Sequence, residues 1–250
     1  MKRILVPVDF SARSINGLHL AAEIAKRSKA KLTLLHVMVD PYIFLSAPNS
    51  YLTPVTESAV QLNYLNNLEK SSNETLKKLA KKPFLKAVNP RLATVTGGSI
   101  YREILNYAEE KKHDMIVMGT NGAKSFGQIF LGTNAERILR FTSIPVLVVG
   151  QKIKSPVIRN IVFASKFNES ARQVFPYVYK FAKLFKSKIY LLRINTGEMH
   201  QLKVSWNFNV NMILHENFGF QSLVRTCDSQ ETSQYLTHCI KFSVYMYVYL

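Results

Sequence analysis

The residues best suited to chemistry in this chain are glycines at a fixed spacing. Met118-Gly119-Thr120-Asn121-Gly122 is followed, after nine intervening residues, by Gly132-Thr133. Gly119 and Gly122 can adopt positive φ and permit close backbone approach, so a phosphate chain can lie against amide groups. Gly132-Thr133 opens a helix whose unpaired N–H groups and positive dipole end favour an anion, and the Thr133 hydroxyl can donate one more hydrogen bond. The alternative is that the glycines only shape a strand-to-helix loop. Two other phosphate motifs are excluded. Gly127 and Gly132 have Walker spacing, but Thr133 stands where the lysine would be, and no G-x-G-x-x-G follows the first strand.

Asp9 is the second candidate. A carboxylate at the carboxyl end of a strand can accept from ribose hydroxyls, help hold Mg²⁺, or cap the helix that begins near Ser11. Ribose contact with some capping is the expectation. No base and nucleophile accompany it, so no catalytic residue is assigned.

These residues must be positioned by the elements around them. Ile4 to Val8 is a compact apolar strand, and Ile15, Leu18, Ala22 and Ala25 recur at helical spacing after it. Leu32 to Val37 is a second strand. A segment with Pro41, Pro48 and Pro54 leads to a helix from about Glu57 to Lys82, and Arg91 to Thr96 alternates as a strand. Ser99 is placed to cap a helix carrying Ile100, Ile104 and Ala108, and the strands Met115 to Met118 and Pro145 to Val149 close the pattern. Alternating short strands and helices predict a doubly wound α/β domain with parallel strands over residues 1–150. Ligands of such sheets lie beyond the carboxyl ends of the strands, which directs attention to the loops after Val8, Val37 and Met118.

The pattern then restarts. A gapless shift of 157 places Ile4 on Ile161, Phe10 on Phe167, Ala25-Lys26 on Ala182-Lys183 and Leu34-Leu35 on Leu191-Leu192. The match ends near Asn195, and counterparts of Gly119 and Gly132 would fall beyond residue 250, so the repeat is expected to be partial. It also sets Lys166 opposite Asp9, which removes the carboxylate. Three segments are therefore expected: a domain at 1–150, an incomplete second repeat at 157–196 and an atypical tail at 197–250.

Charge divides along the same line. The chain of 250 residues carries a net charge of +17, yet residues 1–196 hold +18 and the tail is slightly acidic. Weak, salt-sensitive contact with nucleic acid is compatible with this charge, but no motif for specific recognition is present. No apolar run reaches the length of a membrane span, and Asp9 interrupts the first apolar run before a signal core is complete. Two cysteines are too few for a disulfide scaffold, so a cytoplasmic setting is expected.

The G-x2-G-x9-G-[S/T] spacing after a strand ending in Met-Gly, together with the N-terminal Ile4-Leu5-Val6-Pro7-Val8-Asp9-Phe10-Ser11 and the strand ending Leu34-Leu35-His36-Val37, resembles the universal stress protein (UspA-like) family. The resemblance covers residues 1–150 and part of the second repeat. It implies a Rossmann-like sandwich with a five-stranded parallel sheet, of the adenine nucleotide alpha hydrolase-like kind, plus a partial second copy. It further implies a stress-response or signalling module, a homodimer, and binding of ATP, AMP or ADP, with Mg²⁺ accompanying the nucleotide. Pro7 and Val8 would form the floor, Asp9 would meet the ribose, Val37 would pair with the adenine edge, and Met118 and Gly119 would flank the adenosine. Asn121 and Gly122 would follow in the loop, and Gly132, Thr133 and Asn134 would receive the phosphates. Asn121 stands where nucleotide-binding members often carry Arg, and Lys124 is the neighbouring cation. The expected function is binding, with at most slow ATP hydrolysis. The alternative is an interaction module of the same fold that acts by dimerisation without nucleotide.

Other features suit structural roles. His36 is expected to be packed or hydrogen-bonded, and His113 to be a cation facing a helix end. Cys227, His238 and Cys239 match no metal-ligand spacing. Phe242 to Leu250 alternates Tyr with apolar residues, which suits an edge strand or an aggregation-prone tail.

Overall fold

A computed structural model describes residues 1–40, 58–120, 132–150, 157–165, 169–194, 225–227 and 244–247. These fall into two compact units, residues 1–154 with 243–249, and residues 155–242 with residue 250.

In the first unit the strands are β1 (Arg3–Pro7), β2 (Lys31–Val39), β3 (Arg91–Gly97), β4 (Met115–Gly119), β5 (Val146–Val149) and β9 (Val244–Tyr247). The helices are α1 (Ala12–Ser28), α2 (Ser58–Ala80), α3 (Ile100–Glu110) and α4 (Thr133–Phe141). The sheet order is β3-β2-β1-β4-β5-β9, with the first five strands parallel and β9 antiparallel to β5. The five-stranded parallel sheet read from the sequence is present, and the Tyr-rich C-terminal run adds an edge strand. Strand order reverses at β1, whose neighbours are β2 on one side and β4 on the other, so a crevice opens beyond the ends of β1 and β4.

The two-residue period of the strands supplies both faces of the core. Leu5, Leu35, Ile116, Met118, Val146 and Val148 form one buried cluster with Ile104, Leu105 and Ala108 of α3 and Ala135, Ile138 and Leu139 of α4. The intervening residues Ile4, Val6, Leu34, Val117 and Leu147 are also buried and face the other side, against which α1 packs with Leu18, Ala21, Ile24 and Ala25. Each fully buried aliphatic side chain contributes roughly 1.5–3 kcal/mol, so both layers hold the sheet ends in register.

α1 approaches β4 unusually closely. A Cβ on Gly17 would lie 2.8 Å from the Gly119 amide nitrogen, and one on Gly119 would lie 1.8 Å from the Arg13 carbonyl oxygen. Glycine inside a helix costs about 1 kcal/mol relative to alanine. Here the pair lets the first turn of α1 rest on the end of β4.

The second unit contains β6 (Asn160–Ala164), α5 (Glu169–Phe185), β7 (Lys188–Ile194) and β8 (Arg225–Cys227), with strands parallel in the order β6-β7-β8. Ala171, Val174, Val178, Phe181, Ala182 and Phe185 give α5 a buried stripe at helical spacing. The pairing Arg3↔Lys31 in β1-β2 recurs as Asn160↔Lys188 in β6-β7, a displacement of 157 in both strands. Lys29 and Lys186, the residues that follow α1 and α5, both have φ 55°.

Candidate functional site

A cavity of about 250 Å³ lies beyond the ends of β1 and β4. Its floor and sides include Pro7, Val8 and Asp9 from the end of β1, Val37 from β2, and Met118 and Gly119 from β4. Gly132, Thr133 and Asn134 at the start of α4 complete it. Nine of the eleven residues singled out from the sequence thus line one cavity. Asn121 and Gly122 lie outside the described residues, as does Lys124.

Each wall has a local cause. The Val8 amide donates to the Leu35 carbonyl at 2.8 Å, which extends β1-β2 pairing past Pro7 to the cavity rim. His36 Nδ1 lies 2.8 Å from the Val8 carbonyl oxygen, and its ring packs on Phe10 with centroids 4.5 Å apart. Phe10 has φ 61°, a left-handed conformation that costs a bulky residue about 1–2 kcal/mol. The packed imidazole holds that turn, and the turn delivers Asp9. His36 is therefore a hydrogen-bonded structural residue, as its position suggested.

Asp9 does not cap α1 directly. The N-cap is Ser11, whose Oγ accepts from the Ser14 amide at 3.3 Å, while Asp9 Oδ1 accepts from the Ser11 amide at 3.0 Å. Burial opposes ionisation of Asp9, but hydrogen bonds from the Ser11 and Ser14 side chains and the Ser11 backbone outweigh it and hold the carboxyl below its usual range. The carboxylate stays charged near neutrality, with capacity left to accept from a hydroxyl.

α4 begins at Gly132, and its first intrahelical bond is from the Glu136 amide to the Gly132 carbonyl at 3.0 Å. The amides of Thr133, Asn134 and Ala135 therefore precede the helical ladder, at the positive end of a nine-residue helix. Among the described residues a Cβ on Gly132 would meet nothing within 4 Å.

Several sequence expectations change. Gly119 needs room against Arg13, and its backbone is not left-handed. Ser99 occupies the N-cap of α3 but makes no side-chain capping bond. His113 is not a helix-end cation. It is buried, its Nε2 lies 3.1 Å from Thr33 Oγ1, and burial lowers its pKa, favouring the neutral ring. Cavity residues missed from the sequence include Ser11, Arg13, Ser14 and Thr120. The S-x-x-S spacing at Ser11 and Ser14 was the available signal for the serines. Cys227 ends β8, whereas His238 and Cys239 lie outside the described residues. Among the described residues no cluster of three or more potential metal ligands occurs, and no helix is long and apolar enough to cross a membrane.

The sheet and its crevice define the doubly wound class of α/β domain, with a ligand-sized cavity at the reversal of strand order. Within that class, residues 1–150 match the model of the universal stress protein family. The chain belongs to this family. Over 149 residues it is 34% identical to the universal stress protein MJ0531 of Methanocaldococcus jannaschii, a match covering 59% of this chain and 81% of that protein. It is 28% identical over 147 residues to the universal stress protein YxiE of Bacillus subtilis, covering 59% of this chain and 97% of that protein. In fold it is similar to the crystal structure of a universal stress protein from Archaeoglobus fulgidus, with a TM-score of 0.70 and 17% identity. That similarity covers 96% of this chain and 84% of the other.

Proposed function

We propose that the first domain binds an adenine nucleotide, with ATP the leading ligand, and serves as a stress-response or signalling module. One observation carries this reading: the cavity brings together the charged Asp9, the apolar Pro7, Val8, Val37 and Met118, and the open amides of Thr133 and Asn134. An apolar slot suits a purine, a carboxylate accepts from sugar hydroxyls, and a helix start suits phosphate. Mg²⁺ would enter with the nucleotide's phosphates. No general base is assigned at the site, so binding is the proposed activity, with at most slow hydrolysis of ATP.

Calorimetric titration of the full chain with ATP is the test. A dissociation constant on the order of micromolar is expected. No heat of binding at millimolar ATP overturns the reading and leaves an interaction module of the same fold.

We also propose that residues 157–196 are a partial second copy of the opening strand-helix-strand unit, and that residues 197–250 are an atypical tail that lends β8 and β9 to the two sheets. The repeated register of β1-β2 in β6-β7 supports this organisation.

A further inference from the structure

We propose that Arg13 is the phosphate-binding cation of the cavity, and that the site selects nucleotides with a polyphosphate tail over the bare nucleoside. This rests on the nucleotide reading and adds to it the charge that makes the selection.

Arg13 lines the same cavity as Asp9 and Gly132 to Asn134 and is the one Lys or Arg among the described lining residues. It lies in the first turn of α1, which contains no acidic residue. A cation there opposes the helix dipole, whose positive end favours anions. Local electrostatics therefore penalises Arg13, and such exceptions to a local rule tend to mark functional positions. An anion between the guanidinium and the helix start removes the conflict. Asp9 does not fill that role: its Oδ1 accepts from the Ser11 amide at 3.0 Å, and among the described ion pairs none joins it to Arg13.

The backbone fixes where the cation originates. The Arg13 carbonyl oxygen would lie 1.8 Å from a Cβ on Gly119, so the first turn of α1 sits on the end of β4. The positive ends of α1 and α4 thus border one cavity, and Arg13 stands at the α1 end of it. Asn121, where an Arg side chain could have served from the loop after β4, is neutral. A planar guanidinium binds a phosphate through two parallel N–H bonds, and such charge-assisted bonds are about twice as strong as neutral ones. The adenosine end, beside the ionised Asp9, has no use for this charge.

The experiment titrates the full chain and its Arg13→Gln and Arg13→Lys variants with adenosine, AMP, ATP and inorganic triphosphate, at low and moderate salt. Arg13 is exposed, so both variants should unfold at the temperature of the parent. Arg13→Gln is expected to weaken ATP about 10- to 100-fold while leaving adenosine unchanged, with Arg13→Lys between the two. The salt dependence of ATP binding should fall in the Gln variant. An unchanged ratio of ATP to adenosine affinity, or equal loss of both, overturns the role of Arg13 while nucleotide binding stands. Absence of binding by the parent chain overturns the nucleotide reading and this proposal together.

Discussion

Gly119 and Gly132 look alike in the sequence, yet the structure predicts opposite consequences for the same substitution. In Gly119→Ala the new methyl carbon would lie 1.8 Å from the Arg13 carbonyl oxygen, 2.4 Å from its carbonyl carbon and 3.0 Å from the Ser14 nitrogen. All three are backbone atoms in the first turn of α1, so no rotamer change relieves them. The helix start must retreat by roughly 1.5 Å to restore ordinary contact, which disturbs the Gly17 contact with the same strand end. Overpacking of this kind costs about 1–3 kcal/mol. For a protein of this size that corresponds to a fall in Tm of roughly 3–10 °C. In Gly132→Ala the methyl meets nothing within 4 Å among the described residues, and φ −60°, ψ 152° is ordinary extended backbone. The loss of a preferred N-cap type, about 0.5–1 kcal/mol, is offset by a similar gain from a stiffer unfolded chain, so Tm should stay within about 2 °C. ATP affinity should nevertheless fall about tenfold, because the methyl is added at a cavity-lining position directly before the Thr133 and Asn134 amides. Circular dichroism melts and ATP titrations of the two variants measure both effects. A Gly119→Ala protein that melts with the parent would refute the steric account of Gly119, and unchanged ATP affinity in Gly132→Ala would refute the assignment of phosphate to the start of α4.

His113 is held neutral chiefly by burial, so its folded pKa lies below the unfolded value near 6.5. The unfolded state then takes up protons more readily as pH falls, and this contribution to stability is fully present above about pH 6.5 and lost progressively below it. Urea midpoints from pH 7.5 to 5 should decline, and more steeply than in a His113→Gln variant; parallel slopes would exclude His113 as the cause. β9 covers the outer edge of β5 from Val146↔Tyr247 to Val149↔Val244, so removing residues 244–250 opens a four-residue backbone edge. Light scattering after size exclusion should show more self-association in the shortened chain than in the full one, and equal masses would show that the edge has no such tendency.

The strands and helices were legible because their signals are local: apolar runs of five or six residues, helical spacing, and capping residues at the boundaries. The site was legible where it follows directly from a strand end or a helix start, as at Asp9, Met118 and Gly132. What escaped was set by tertiary approach. Arg13 reads as an ordinary exposed position on α1, and the approach of Gly119 to the Arg13 carbonyl shows that the helix begins beside the end of β4. The sequence-local argument made His113 a helix-end cation, whereas Thr33, eighty positions earlier, places the ring inside the protein. The partner of the C-terminal strand could not be named, since β9 pairs with a strand nearly a hundred residues before it.

The site's assembly also bears on the repeat. β1, α1 and β2 supply one wall, with Asp9, the Ser11 cap, Arg13 and Val37; β4 and α4 supply the other, with Gly119 and the open amides. Neither wall is a site alone, because the first lacks the open amides of Thr133 and Asn134 and the second has no carboxylate for the sugar. β6 and β7 reproduce the register of β1 and β2, and in sequence the same displacement sets Lys166 opposite Asp9. A lysine cannot accept from ribose hydroxyls, so the shift replaces an acceptor with a residue that has none. The strand pairing of β1-β2 therefore recurs in β6-β7 without the carboxylate that Asp9 brings to the cavity. Buried residues from Ala171 to Ile189 hold α5 and β7 together by apolar packing.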